Sequence, residues 1–157
     1  MFQIGNNLID PAMMEFGNCG CCDMKKKRIL IVEDELALAC LMIAALTRAG
    51  CDVEAACTGK KAMKIAAERK FDLITLDMKL PDTTGFEICS ELKQRHISRN
   101  TPIIFVSGSP TPEDIVESKN RGAVDYITKP FEITDFIYRV VQHAKMPSNG
   151  ENQRISE

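Results

Sequence analysis

The feature that most constrains this chain is a set of short, uninterrupted apolar runs separated by segments of helical period. Ile29-Leu30-Ile31-Val32, Leu73-Ile74-Thr75-Leu76 and Ile103-Ile104-Phe105-Val106 are each too short for a helix and rich in β-branched residues. A strand with one wet face alternates apolar and polar residues, whereas a strand covered on both faces reads as a continuous apolar run. Three such runs therefore predict the interior of a parallel sheet. Two further segments are more mixed: Asp52-Val53-Glu54-Ala55-Ala56 begins with alternation, and residues 123–127 include Asp125 and Tyr126. These are expected to be the edges.

Helical patterns fill the gaps. Leu38, Leu41, Met42, Ala45, Leu46 and Ala49 fall on one face, and Gly50 supplies a stop. A thinner face, Ala62, Ile65 and Ala66, follows Thr58. Thr84-Gly85-Phe86-Glu87 has capping-box spacing, and Thr111-Pro112 places a cap before a first-turn proline. In the last helix Ile133, Phe136, Ile137, Val140, Val141 and Ala144 recur at helical spacing, with Pro147 closing it. Strands alternating with helices require right-handed crossovers. The expected fold is α/β: a flavodoxin-like, doubly wound, five-stranded parallel sheet in the order 2-1-3-4-5, with helices on both faces. The pattern covers residues 24–146, while 1–23 and 147–157 lack periodicity and are expected to be flexible extensions.

In such a sheet ligands bind beyond the carboxyl ends of the strands. Glu33 and Asp34 follow the first strand, Asp77 ends the third, Ser107 ends the fourth, and Lys129-Pro130 follow the fifth. Taken singly, each has a bland reading: an acid after a strand is commonly a helix cap, and a Lys-Pro commonly a loop. Together at successive strand ends they converge on one rim. Three neighbouring carboxylates repel one another, and a hard divalent cation with an oxygen shell relieves that; Mg²⁺ suits the set. A phosphoryl group would be drawn to the same place, with Lys129 neutralising one oxygen and Ser107 donating to another. Asp77, the central carboxylate, is the candidate nucleophile.

These residues carry a family resemblance. Residues 25–146 resemble the receiver domain of two-component response regulators, through Ile29-Leu30-Ile31-Val32-Glu33-Asp34, through Leu76-Asp77-Met78-Lys79-Leu80-Pro81 with Gly85 behind it, through Val106-Ser107-Gly108, and through Asp125-Tyr126-Ile127-Thr128-Lys129-Pro130-Phe131. The resemblance implies that Asp77 is the phosphoacceptor and that Glu33 and Asp34 hold Mg²⁺, with the backbone carbonyl of Lys79 as a further ligand. It implies that Lys129 contacts the phosphoryl group, that Ser107 and Tyr126 form a switch pair, and that a cis bond often joins Lys129 to Pro130. It further implies a phosphodonor, either a sensor histidine kinase or a phosphotransfer protein. Glu33 stands where an aspartate is common, Lys79 adds a positive charge beside the site, and Gly108 leaves the approach to Ser107 open.

The remaining properties bound the alternatives. A formal net charge of −2 gives no general attraction to nucleic acid. No apolar run is long enough to span a bilayer, and Asp10, Pro11 and Glu15 interrupt any signal-like start, so the cytoplasm is expected. The seven cysteines then read as thiols. Cys19, Cys21 and Cys22 crowd the first extension without a nearby histidine to complete a zinc set. A nucleotide- or flavin-binding role would need a phosphate cradle where Glu33-Asp34-Glu35 would repel it. A small-molecule phosphatase would want an acid where Lys79 stands. The reading is therefore a signalling phosphoacceptor rather than an enzyme with a small-molecule substrate. No effector domain is expected after residue 146, so output is expected through a partner or a phosphorylation-dependent homodimer.

Overall fold

The computed structural model describes residues 25–145. β1 (Arg28–Val32) lies between β2 (Asp52–Ala56) and β3 (Leu73–Leu76), and β4 (Ile103–Gly108) lies between β3 and β5 (Asp125–Lys129). All four pairings are parallel and the order is β2-β1-β3-β4-β5, the expected arrangement. The connecting helices are α1 (Leu36–Arg48), α2 (Gly59–Glu68), α3 (Gly85–Gln94), α4 (Pro112–Asn120) and α5 (Ile133–Lys145).

Strand periodicity divides the core into two halves. Leu30, Val32, Ile74, Leu76, Ile103 and Phe105 point to one face, where Ala62 and Ala66 of α2 and Ile88 and Leu92 of α3 cover them. Ile29, Ile31, Leu73, Ile104 and Val106 point to the other, under Met42 and Leu46 of α1 and Phe136 and Val140 of α5. Strand residues on both faces are therefore fully buried, which is why the three central strands show no polar alternation. The caps at Thr84 and Thr111 form as expected, each as a full capping box, and Thr58 caps α2.

Two expectations shift. The inward face of α1 is Ala39, Met42 and Leu46, with Leu38 and Ile43 beside it, whereas Leu41 is 52% exposed and Ala49 is also on the outside. The helix is apolar nearly all round, so its rotation is decided by packing rather than by period. β5 begins at Asp125, not at residue 123, because its ladder with β4 starts with Asp125 opposite Ile104; Val124 contributes only its amide, to the Ile103 carbonyl. The two extensions, Pro147 and the Cys19, Cys21 and Cys22 cluster lie outside the described residues.

Candidate functional site

The register aligns the strand ends. Val32 stands opposite both Ala56 and Leu76, Leu76 opposite Phe105, and Phe105 opposite Tyr126. Glu33 and Asp77 consequently leave the sheet side by side, while Ser107 and Lys129 stand two and three residues beyond the same level on strands that run further. The Asp77 amide donates to the Val32 carbonyl and the Glu33 amide to the Ala56 carbonyl, each at 3.0 Å, which fixes the backbone from which both carboxylates project.

Glu33, Asp34 and Asp77 each present a carboxylate oxygen, and these oxygens lie within 4.8 Å of one another. Glu33 and Asp77 are buried, at 3% and 7% exposure, and Asp34 faces solvent. Lys129 reaches in from the end of β5 with Nζ 2.7 Å from Glu33 Oε2 and 3.0 Å from Asp77 Oδ2. Glu33 Oε1 accepts from the Glu35 amide at 3.2 Å, and Asp77 Oδ1 from the Lys79 amide at 3.1 Å. The extra methylene of Glu33 is thus absorbed by two contacts that hold the longer side chain in the site. Asp34 does not cap α1, whose N-cap is Glu35 without a side-chain bond.

Burial pushes the Glu33 carboxyl above its ordinary range; Lys129 opposes the rise and the Asp77 carboxylate adds to it. Burial works against the Lys129 ammonium, but its bonds to Glu33 and Asp77 outweigh that and leave it raised. One ammonium, paired with two of the three carboxylates, does not neutralise the set. An all-oxygen, anionic set with one open, exposed member is what a hard divalent cation takes, so these residues fit Mg²⁺.

Ser107 is 4% exposed, and Tyr126 is half-buried, its ring 6.0 Å from that of Phe105. Burial raises the Tyr126 phenol, and the neighbouring Ser107 hydroxyl pulls the other way. The pair named from the sequence are therefore neighbours. Lys79 is exposed and bridges Thr84 across the loop that follows β3. A Cβ on Gly108 would meet nothing within 4 Å, so the space at Gly108, beside the buried Ser107, is open. The Lys129–Pro130 peptide is cis. One residue of this region had no local sequence signal: Asp82, whose carboxylate reaches across to the start of α2.

A doubly wound sheet with an acidic rim, a strand-end lysine and a neighbouring serine–tyrosine pair defines a class, and comparison with known proteins agrees. The family model for the response regulator receiver domain matches residues 29–141, and the chain belongs to that family. Over 113 residues it is 34% identical to the DNA-binding dual master transcriptional regulator RpaA of Synechocystis, covering 72% of this chain and 47% of that protein. It is 38% identical to the response regulator ArlR of Staphylococcus saprophyticus, again over 72% of this chain and 50% of the relative. The matched region thus spans about half the length of these curated relatives. Among solved structures, a CheY-like receiver domain protein from Methanospirillum hungatei superposes with a TM-score of 0.72 at 31% identity, covering 76% of this chain and 94% of that one. The non-phosphorylated HemR receiver domain of Leptospira biflexa gives 0.74 at 27% identity, covering 80% of this chain and all of the other.

Proposed function

We propose that this receiver takes a phosphoryl group on Asp77 from the phosphohistidine of a sensor histidine kinase or a phosphotransfer protein, and passes the event on by changing shape. The observation that carries the reading is the cluster of Glu33, Asp34 and Asp77 with the Lys129 ammonium between two of them. An Asp77 carboxylate oxygen attacks phosphorus as the nitrogen–phosphorus bond breaks, and the imidazole leaves with the electron pair. Glu33, Asp34, Asp77 and the Lys79 carbonyl would hold Mg²⁺, which when bound supplies positive charge to the phosphoryl oxygens. Lys129 moves from its Asp77 contact to a phosphoryl oxygen, and Ser107 donates to another. The Lys79 amide, already on Asp77 Oδ1, fixes the carboxylate orientation and leaves the other oxygen to react. Water attacking the same phosphorus later returns Asp77 to its carboxylate, so the chain promotes its own reset.

Movement of Ser107 toward the phosphoryl group frees space beside Tyr126, whose ring then buries further. Since Tyr126 belongs to β5, the face made by α4, β5 and α5 changes with it, and a partner or a second copy of the chain reads that face. Val116, Val124 and Tyr138, exposed by 57%, 44% and 64%, give it apolar contact points. The receiver domain itself passes the signal on through protein contact. No described helix is long and apolar enough to cross a membrane, and the free thiols Cys40, Cys51, Cys57 and Cys89 suit a reducing cytoplasm.

The test is incubation with a small acyl-phosphate donor and Mg²⁺, read by intact mass. One phosphoryl addition is expected, lost in Asp77→Asn and in excess chelator. Undiminished labelling of Asp77→Asn would refute the assignment.

A further inference from the structure

We propose that Asp82 is a positioning residue for phosphoryl acceptance: its carboxylate, seated on the first turn of α2, holds the loop that carries Asp77 and Lys79 in the geometry that takes Mg²⁺. The inference rests on the reading above, in which Mg²⁺ sits among Glu33, Asp34, Asp77 and the Lys79 carbonyl.

The loop from residue 77 to residue 84 is a small turn folded on itself. The Leu80 amide donates to the Thr83 carbonyl at 3.2 Å, the Gly85 amide to the Met78 carbonyl at 2.9 Å, and Lys79 bridges Thr84. Asp82 stands in this turn and commits both carboxylate oxygens elsewhere: Oδ1 accepts from the Gly59 amide at 2.8 Å, and Oδ2 from the Lys60 amide at 2.9 Å. Those amides open α2 and have no partner within the helix. Thr58 takes the next one, from Lys61, at 3.2 Å. Asp82 thus completes the cap of a helix that starts 23 residues earlier in the chain.

The cap also answers a charge problem. The first turn of α2 has no acidic residue and carries Lys60 and Lys61, the wrong sign for the positive end of the helix dipole. Asp82 supplies the missing negative charge, and its two amide donors hold its carboxyl below the usual carboxylate range. The contact is close as well as polar. A Cβ on Gly59 would fall 2.2 Å from Thr83 Cγ2, so the loop packs directly on the helix start, at a residue with no side chain to obstruct it.

The clamp closes a ring around the acidic cluster. β2 ends at Ala56, whose carbonyl accepts the Glu33 amide, and α2 starts three residues later at Gly59. Asp82 ties Gly59 and Lys60 to the β3–α3 loop, and the Lys79 amide returns to Asp77 Oδ1. Both loops that offer oxygens to the cation are therefore referenced to the same junction, between β2 and α2. Without Asp82 the Glu33 and Asp34 side stays fixed while the Lys79 side is released. Metal affinity is sensitive to such outer contacts, which commonly change it by about 10–100-fold.

The test is Mg²⁺ titration of the full chain followed by amide chemical shifts, alongside thermal melting without metal. Asp82→Ala is expected to raise the Mg²⁺ concentration at half-saturation about tenfold, and Asp82→Asn, which keeps one acceptor oxygen, to fall between it and the parent. Thr58→Ala removes the other cap of the same helix without touching the loop. It should lower the melting temperature comparably yet leave Mg²⁺ half-saturation within about twofold, below the range seen for outer contacts. Asp82→Ala binding Mg²⁺ like the parent would overturn the proposal, and so would an equal loss in Thr58→Ala. If Asp82→Ala does not fold, unaltered Mg²⁺ binding by Asp82→Asn overturns it instead. A parent that fails to bind Mg²⁺ would overturn the cation reading itself, an outcome distinct from either.

Discussion

A Cβ placed on Gly85 would lie 2.5 Å from the carbonyl oxygen of Asp77. The same atom would meet Phe105 Cε1 at 3.0 Å and Met78 Cα at 3.1 Å, so neither a rotamer change nor a flexible chain end can make room. The first residue of α3 therefore rests on the backbone of Asp77. Gly85→Ala must displace either α3 or Asp77, and overpacking of this kind costs about 1–3 kcal/mol. Urea unfolding should show that loss, and mass gain from an acyl phosphate should slow in the folded fraction. A variant matching the parent in both would show that this backbone yields freely.

Glu87 gives the fold a dependence on acid whose sign is fixed by its contacts. Its Oε2 accepts from the Thr83 hydroxyl at 2.5 Å and from the Thr84 amide at 3.0 Å, and both hold the carboxyl below its ordinary value of 4.5. A depressed folded value means that the native state favours the ionised form. The contribution is present above the ordinary carboxylate range and disappears as pH falls through the depressed folded value. Glu87→Gln should melt below the parent at pH 7, and the two melting curves should converge in strong acid. A constant offset from neutral pH to strong acid would contradict this account.

Arg121, just past α4, is expected to hold that helix in place. Its Nη1 lies 2.6 Å from Ser90 Oγ on α3, its guanidinium stands 5.0 Å above the Phe86 ring, and its Nε pairs with Glu117. α4 itself buries only Ser118. A helix with so little buried area depends on contacts at its end. Arg121→Ala should speed amide exchange across residues 112–120 by about fivefold or more, the equivalent of about 1 kcal/mol. Exchange in α3 should change much less. Equal acceleration of both helices would point to global loss of stability instead.

How much of this was legible in the sequence depends on the distance over which each feature is determined. The runs at 29–32, 73–76 and 103–106 are local, and they place three strands within a residue or two of their observed bounds. Because Glu33, Asp77, Ser107 and Lys129 sit at or just beyond strand ends, locating the strands was enough to bring those side chains to one rim. The rotation of α1 was not legible, since Leu41 and Ala39 are both apolar and only the sheet decides which is buried. The start of β5 was missed by two residues because Ala123 and Val124 look like strand residues, while the ladder begins with a charged one. Asp82 was invisible for a different reason. An aspartate after Pro81 is ordinary turn chemistry, and nothing near it reveals a helix start 23 residues away that needs its charge.

The position of Tyr126 makes the coupling between phosphorylation and the outer face testable. Its ring already lies against Phe105 and beside Ser107, with the core of the α2–α3 side behind it. On the proposed reading, what would change is the last part of its burial, with Ser107 as the residue that governs it. In the proposed mechanism, Ser107 turning to the phosphoryl group would take its hydroxyl from the neighbourhood of the Tyr126 phenol and leave space for the ring. The shift can be no larger than the difference in contact free energy that the phosphoryl group makes with the two arrangements. Ser107→Ala removes the donor without altering Asp77, Glu33 or Lys129, so mass gain on Asp77 should persist. The response should not. Amide exchange over residues 108–131 should change on phosphorylation of the parent and change much less in Ser107→Ala. Equal changes in both proteins would mean that the signal leaves the site by another route.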